Sequence, residues 1–209
     1  MDQKELYERQ VSENSVSQAT SASLGPRETA LLKWTRGNIP IPPDGSKIRI
    51  AELSVGDGQL SRALAQALPS ISIDCVDISS RRLDHCRQMA RTLPSSVAER
   101  LRFLELNLDK QFDMLEGGGY DAVIAIDVLE HVFDPFAFVG QCARILKPEG
   151  SLFLRVPNLA YVKRRLALLG GQLPVTSSWF ETPGSFQSWK DRHGWDGRTR
   201  GSWRMVHAA

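Results

Sequence analysis

Two carboxylates and a glycine-rich turn are the residues of this chain best suited to hold a nucleotide-like ligand. Glu52 ends a short apolar stretch, Gly56 and Gly58 follow it, and Asp77 ends the next apolar stretch, 19 residues after Gly58. Glycines let a ligand approach the backbone N–H groups closely. A carboxylate at the position of Asp77 can accept hydrogen bonds from both hydroxyls of a ribose. Together these residues predict a nucleotide-type pocket.

Glu52 decides which nucleotide-like cofactor is expected. An acid at this point would repel a pyrophosphate, whereas it would attract S-adenosylmethionine, which carries a cationic amino group and a sulfonium. The NAD fingerprint also requires a third glycine, and Ser61 stands at that position. An NAD-linked enzyme is therefore disfavoured, and S-adenosylmethionine is the expected cofactor.

The elements that must position these residues alternate between strand and helix from residue 48 onward. Strands are predicted at 48–53, 71–76, 101–105, 121–126 and 151–156, and helices at 59–68, 80–92, 128–133, 135–146 and 159–169. This alternation predicts right-handed crossovers and a mostly parallel, Rossmann-like α/β sheet. Ligands bind beyond the carboxyl ends of such strands, where the acids and glycines of this chain lie.

The chain resembles the class I S-adenosylmethionine-dependent methyltransferases in blocks that lie in the family's order between residues 48 and 157. The blocks are 52–58, 75–79, 106–109, 120–135 and 146–150. The family's first motif is an acid followed by glycine-x-glycine-x-glycine, so Ser54 replaces the first glycine. Serine is small enough to admit the cofactor, but it would lower the affinity if this position requires a positive φ.

The same resemblance implies which residues hold the cofactor. They lie at strand ends and are expected to be Glu52, Ser54, Gly56, Gly58, Asp77, Ile78, Asn107, Leu108 and Asp127. Asn107 and Leu108 are expected to flank the adenine, whereas Asp109 is equally well explained as a helix-start acid. The transferred methyl group is expected near His131. This histidine is either the base that takes the acceptor's proton or a residue that packs the helix against the sheet, with equal weight.

Several further features bound the kind of protein. The helical spacing of Phe133, Phe136 and Phe138 favours a core position for all three. The three cysteines and four histidines show no metal-ligand spacing, so no metal site is expected, and the cysteines are predicted to be buried thiols. The sequence has no spanning apolar run and no signal peptide, which indicates a cytoplasmic protein without a membrane partner.

The C-terminal part of the chain resembles the MetW-like branch, which is named for methionine biosynthesis, at residues 155–174 and 180–183. Residues 155–209 carry a charge of +6, whereas the rest of the chain carries −4. This basic, aromatic-rich region could contact a protein partner, although a solvated end explains the charge better. Nucleic acid is disfavoured as a partner because no Asn/Asp-Pro-Pro-aromatic motif follows the fourth strand.

Three regions are predicted: a flexible arm at 1–26, the cofactor-binding core at 27–157, and a basic helix with an irregular segment at 158–209. The family's two last strands have no counterpart after residue 157, so we expect five strands, an unpaired edge and a truncated product. The first hypothesis for function is a methyltransferase that acts on a small molecule, with the acceptor left open. The alternative is a weak or inactive methyltransferase fold that serves as a binding or regulatory partner in methionine biosynthesis.

Overall fold

The computed structural model describes residue 4 and residues 26–39, 46–158 and 162–169. Residues 1–154 and 155–209 form two compact units. The described helices are α1 (Pro26–Asn38), α2 (Gln59–Ala67), α3 (Ser80–Ala90), α4 (Ser95–Ala98), α5 (Pro135–Ile145) and α6 (Val162–Leu169). The strands are β1 (Ile48–Leu53), β2 (Ile71–Asp77), β3 (Leu101–Glu105), β4 (Tyr120–Ile126) and β5 (Leu146–Arg155). Short 3-10 turns lie at Phe112–Met114 and Leu129–His131.

The strands form one sheet in the order β3-β2-β1-β4-β5. β1 pairs in parallel with β2 and with β4, and β2 pairs in parallel with β3. The strand order therefore reverses on the two sides of β1, which opens a crevice at its carboxyl end. The five-stranded Rossmann-like sheet is confirmed, and β5 lies at its edge within the described part of the chain.

Both faces of the sheet are buried by helices. Alternate residues of β1 point to opposite faces, so Ile48 and Ile50 enter one apolar cluster while Ala51 and Leu53 enter the other. The first cluster contains residues of α1, α2 and α3, and the second contains residues of α5. Strands that are covered on both faces read as continuous apolar runs, which is why the sequence located them.

Capping residues fix the two helices that follow β2 and β4. Ser79 precedes α3, and its hydroxyl accepts a hydrogen bond from the backbone N–H of Arg82 at 3.2 Å. Asp134 precedes α5, and its carboxylate accepts hydrogen bonds from the N–H groups of Phe136 and Ala137 at 3.0 and 2.9 Å. Such caps satisfy N–H groups that have no partner within the helix.

The helix predicted at 128–133 is wrong, because the structure forms only the 3-10 turn Leu129–His131 there. β5 begins at Leu146 rather than at 151, and Glu149 adopts a φ of 66° within it. α1 packs against the sheet, and the Trp34 ring meets the Phe153 ring edge-on with centroids 5.0 Å apart. The position of α1 thus follows from core packing.

A charged network fixes the end of the sheet opposite the crevice. The carboxylate of Asp74 accepts hydrogen bonds from the guanidinium of Arg102 at 2.7 and 2.6 Å and from the hydroxyl of Tyr120 at 2.6 Å. The guanidinium of Arg49 stacks 4.8 Å above the Tyr120 ring. Burial acts to raise the pKa of Asp74, but these hydrogen bonds and charges outweigh it and lower that pKa. The network therefore links β1, β2, β3 and β4 through side chains.

Several predictions fall outside the described residues. They are the flexible arm, apart from Lys4 and the start of α1, and the aromatic-rich segment with its suggested protein partner. Within the described ranges, no helix is long and apolar enough to cross a membrane. No cluster of metal-ligating side chains was found among those residues either.

The prediction that all three phenylalanines near α5 belong to the core is wrong for two of them. Phe138 is 4% exposed, whereas Phe133 and Phe136 are 66% and 90% exposed. Phe133 precedes the helix, which begins at Pro135. Phe136 and Phe138 are two positions apart, so they lie on opposite sides of the helix, and only Phe138 faces the sheet.

We expect Phe138→Ala to lower the free energy of unfolding by about 3–5 kcal/mol, because it empties a packed site. The Phe138 ring meets the Phe112 ring edge-on at a centroid distance of 5.6 Å. Phe136→Ala is the matched control and should change stability by less than about 0.5 kcal/mol. Urea denaturation of both variants measures the difference, and equal losses would contradict the packing described here.

Candidate functional site

The turn between β1 and α2 brings backbone close to the crevice. Ser54, Gly56 and Gly58 adopt left-handed conformations, with φ values of 63°, 58° and 65°. The N–H of Val55 donates to the carbonyl of Val76 at 2.9 Å, which ties the turn to the end of β2. Glycine adopts such φ values without strain, but serine does not. The position of Ser54 therefore does require a positive φ, the condition under which serine was expected to lower the affinity for the cofactor.

Helix α3 supports this turn from one side. A Cβ atom on Gly58 would lie 2.8 Å from the sulfur of Cys86, so a side chain at this position would collide with α3. The Cys86 thiol donates a hydrogen bond to the carbonyl of Gly56 at 3.3 Å. The glycine at position 58 is thus required both by backbone conformation and by the close approach of α3.

Asp77 joins the turn to the start of α3. One carboxylate oxygen accepts a hydrogen bond from the N–H of Gly56 at 3.1 Å, and the other accepts from the N–H of Ser79 at 2.9 Å. The residue is only 2% exposed, yet it lines the pocket described next. Backbone donors on both oxygens therefore fix its orientation at the pocket.

A solvent-open pocket lies at the carboxyl ends of the strands. Its walls combine apolar side chains with a few polar groups, and the lining residues are Ser54, Asp77, Ile78, Leu106, Asn107, Leu108, Asp109, Val128, His131 and Val132. Apolar walls suit a flat base, and the Asp77 carboxylate suits a ribose. The residues therefore fit the adenosine part of S-adenosylmethionine.

The stretch after β3 is braced against the loop that follows β4. The side-chain oxygen of Asn107 accepts a hydrogen bond from the N–H of Asp109 at 3.0 Å. The carboxylate of Asp109 in turn accepts from the N–H of Phe133 at 3.0 Å. Asp109 thus holds two walls of the pocket together. The sequence did not predict this role, because it suggested only a helix-start acid or a contact with the adenine.

Glu52 lies beneath the turn rather than in the lining of the pocket. It is 5% exposed and accepts a hydrogen bond from the hydroxyl of Ser61, the first-turn residue of α2 that replaces the third glycine. Burial raises the pKa of Glu52 to about 7, and nearby Asp77 adds to the rise, while the bond from Ser61 opposes it. The thiol of Cys75 also donates to the Ser61 hydroxyl at 3.2 Å.

His131 lies at the mouth of the pocket, in the 3-10 turn after β4. Its backbone N–H donates to the carbonyl of Val128 at 2.9 Å, and the residue as a whole is exposed to solvent. Desolvation by the surrounding protein lowers the pKa of its imidazole. The charge of Asp127 acts to raise this pKa, and the charge of Arg82 acts to lower it. A neutral imidazole near neutrality can accept a proton, which is the state a base requires.

The structure brings together six of the predicted residues in the pocket lining: Ser54, Asp77, Ile78, Asn107, Leu108 and His131. Gly56 and Gly58 form the adjoining turn. Asp127 directly follows β4 and has a φ of 51°. It is not among the lining residues of the pocket. The sequence analysis did not identify Leu106, Val128 and Val132 as lining residues. The only feature of the sequence that could have indicated them is their position at or shortly after a strand end.

Comparison with known proteins agrees with this geometry. Residues 51–152 match the model of a methyltransferase domain. The chain is 31% identical over 124 residues to a ubiquinone biosynthesis O-methyltransferase of Xanthomonas campestris pv. campestris (strain B100), covering 59% of this chain and 49% of the relative. The chain thus spans about half the length of the curated relatives that it matches.

Solved structures share the fold. The CurJ carbon methyltransferase has a TM-score of 0.55 and 16% identity, covering 80% of this chain and 46% of that one. Coclaurine N-methyltransferase, bound to N-methylheliamine and SAH, has a TM-score of 0.50 and 18% identity, covering 65% and 37%. Residues 51–152 thus resemble a methyltransferase domain, and the described sheet shares its fold with these solved structures.

Ser54→Gly should raise the free energy of unfolding by about 0.5–1 kcal/mol, because glycine relieves the left-handed strain at this position. Ser54→Ala is the control, since alanine keeps the strain and removes only the hydroxyl. Urea denaturation measures both variants. If the alanine variant were stabilised as much as the glycine variant, the serine hydroxyl and not the backbone conformation would be the destabilising feature.

Glu52 should make stability depend on pH in an unusual direction. The pKa of Glu52 is about 7 in the folded chain, whereas its ordinary value is 4.5. Its protonated form therefore stabilises the folded chain fully below pH 4.5, and this stabilisation is lost as the pH rises to 7. The free energy of unfolding should fall by on the order of 3 kcal/mol across this window. In Glu52→Gln this fall should be absent.

The exposed Glu99 supplies the control for this pH effect. Glu99→Gln should retain the wild-type dependence on pH in the same denaturation experiment. A Glu52→Gln variant that keeps the full wild-type slope would mean that another group causes it.

Proposed function

We propose that this chain transfers a methyl group from S-adenosylmethionine to a hydroxyl group of a small molecule. The observation that carries the proposal is the pocket in which Asp77 and His131 line the same cavity beside the glycine turn. Asp77 offers the acceptor that a ribose needs, and His131 offers a base. The name of the Xanthomonas relative, a ubiquinone biosynthesis O-methyltransferase, supports oxygen as the methylated atom.

The residues of the chain would act by binding, orienting and removing a proton. When bound, S-adenosylmethionine supplies the methyl group: the acceptor oxygen bonds to its carbon, the electrons of the S–CH3 bond stay on sulfur, and S-adenosylhomocysteine leaves. His131 takes the hydroxyl proton of the acceptor onto an imidazole nitrogen. Ile78, Leu108 and Val128 provide apolar walls of the pocket in which the base lies. Positioning and desolvation supply much of the acceleration in such a displacement.

The alternative of an inactive binding partner is not favoured. It rested on Ser54 and on two family strands that the sequence does not predict after residue 157. The matched domain and the curated relative are methyltransferases. The MetW-like assignment and its methionine pathway rest on residues beyond the matched 51–152, whereas the name of the relative points to ubiquinone biosynthesis.

Asp77→Asn should weaken binding of S-adenosylmethionine at least about tenfold, because it removes a charged acceptor from the ribose site. Isothermal titration calorimetry measures the affinity. Asp84→Asn, which changes an exposed carboxylate on α3, is the matched control and should bind like wild type.

Thermal melting of the same samples separates loss of the site from loss of the fold, because Asp77 also holds Gly56 and Ser79. An amide at position 77 still accepts one of these backbone bonds, so the variant should remain folded. The proposal fails if the folded wild-type chain does not bind S-adenosylmethionine, or if both variants bind it equally.

A further inference from the structure

The half-buried carboxylate of Asp109 lines the pocket and is bonded to the loop that carries His131. One of its oxygens accepts a hydrogen bond from the backbone N–H of Phe133 at 3.0 Å. The two residues follow β3 and β4, which lie on opposite sides of β1 in the sheet. Hydrogen bonds from an N–H to a carboxylate are among the stronger ones in proteins. This bond therefore joins the two sides of the crevice directly.

The turn that presents Asp109 is closed by its own hydrogen bonds. The side-chain oxygen of Asn107 accepts the N–H of Asp109 at 3.0 Å. The carbonyl of Asn107 accepts the N–H groups of Lys110 and Gln111 at 3.0 and 2.7 Å. The side-chain oxygen of Gln111 accepts the N–H of Asn107 in return, at 2.9 Å. Asp109 is thus held on a turn whose own bonds fix it, and it gives the opposite loop a firm point of attachment.

The loop between β4 and α5 carries His131 in a single 3-10 turn. The N–H of His131 closes this turn on the carbonyl of Val128 at 2.9 Å, but that bond lies within the loop. The bond from Phe133 to Asp109, by contrast, ties the loop to another part of the pocket. Phe133 follows His131 by two residues, which span at most about 7 Å. The place of the Phe133 N–H therefore limits where the imidazole can lie.

The placement of His131 matters because a base must lie within hydrogen-bond reach of the proton that it takes. A displacement of about 1 Å in a catalytic geometry can lower the rate by about a hundredfold. His131 belongs to an exposed turn, so its place depends on the contacts that hold this turn. A bond that fixes the loop therefore contributes to proton transfer without touching the acceptor.

We propose that Asp109 is a positioning residue, which holds the loop after β4 through the N–H of Phe133 and so keeps His131 in its place in the pocket. The proposal rests on the proposed function for the chemical role of His131. It assigns Asp109 to the acceptor side of the crevice rather than to the adenine, and it leaves the cofactor to Asp77 and the glycine turn.

The first test is amide hydrogen exchange of the full chain, followed by NMR. Asp109→Ala removes the acceptor, so the Phe133 N–H should exchange at least about tenfold faster than in wild type. Asp109→Asn keeps a side-chain oxygen and should restore most of the protection. Asp113→Ala is the matched control, because it removes an exposed carboxylate from the same stretch of chain. Its exchange at Phe133 should equal that of wild type.

The exchange of Ile124, which is fully buried in β4, reports on the whole fold and should stay slow in every variant. Unchanged exchange at Phe133 in a folded Asp109→Ala chain would overturn the proposal. If this variant loses its fold, the wild type decides. The amide shift of Phe133 should then follow protonation of the Asp109 carboxylate, and the same titration in Asp109→Asn would overturn the proposal.

A second readout is the NMR titration of His131, with its signal assigned by its absence in His131→Gln. Desolvation lowers the pKa of this imidazole, so release of the loop into water should raise that pKa in Asp109→Ala and not in Asp109→Asn. Loss of the carboxylate charge, common to both variants, acts to lower it, while Asp127 and Arg82 stay unchanged. The sign of the change is therefore decisive, and an equal fall in both variants would overturn the proposal.

Calorimetric titration with S-adenosylmethionine separates this proposal from the proposed function. Asp109→Ala should bind the cofactor within about threefold of wild type, because Asp77 and the glycine turn stay intact. If it loses as much affinity as Asp77→Asn while His131 titrates as in wild type, Asp109 serves the cofactor and the proposal is overturned. If the wild type does not bind the cofactor, the proposed function fails, whereas the exchange and titration data still decide whether Asp109 positions His131.

Discussion

The carboxylate of Asp77 is the constraint on which the site depends. It receives N–H groups from the glycine turn and from the residue that caps α3. A buried carboxylate with backbone donors on both oxygens has little freedom to turn away. Because Ser79 caps α3 in turn, the same contacts place Cys86 and Arg82 against the glycines. The turn, the Asp77 carboxylate and the start of α3 are thus set by one group of short-range bonds.

The carboxyl group of Glu52 lies beneath the glycine turn, in a different environment from the charged groups above it. Glu52 is buried with the Ser61 hydroxyl as its partner, and burial holds its pKa at about 7. Near neutrality this carboxyl is therefore divided between its protonated and ionised forms, and a cationic ligand above the turn would favour the ionised form. The expectation that Glu52 attracts the cofactor can hold through this field, although its side chain does not line the pocket.

The sequence was sufficient for the sheet, because its buried strands are mainly apolar and end in polar residues. It also predicted that Asp77 and the glycines lie together at the strand ends, since their spacing reflects backbone geometry within one strand–turn–helix unit. It could not locate the role of Asp109, because that role depends on a contact with Phe133, which lies 24 residues away in the chain. Helical spacing misled for Phe133, because the helix begins only after it, and for Phe136, because it lies on the side of the helix opposite Phe138.

The division of labour in the crevice follows from strand order. The walls that carry Asp77 and Asn107 come from the ends of β2 and β3, on one side of β1, and His131 comes from the loop after β4 on the other side. Backbone hydrogen bonds fix Asp77 on the first side. The loop after β4 is tied to that side by the hydrogen bond from the N–H of Phe133 to Asp109, and it carries exposed aromatic side chains. Substitutions in this loop can therefore alter one side of the pocket while the bonds that fix Asp77 stay intact.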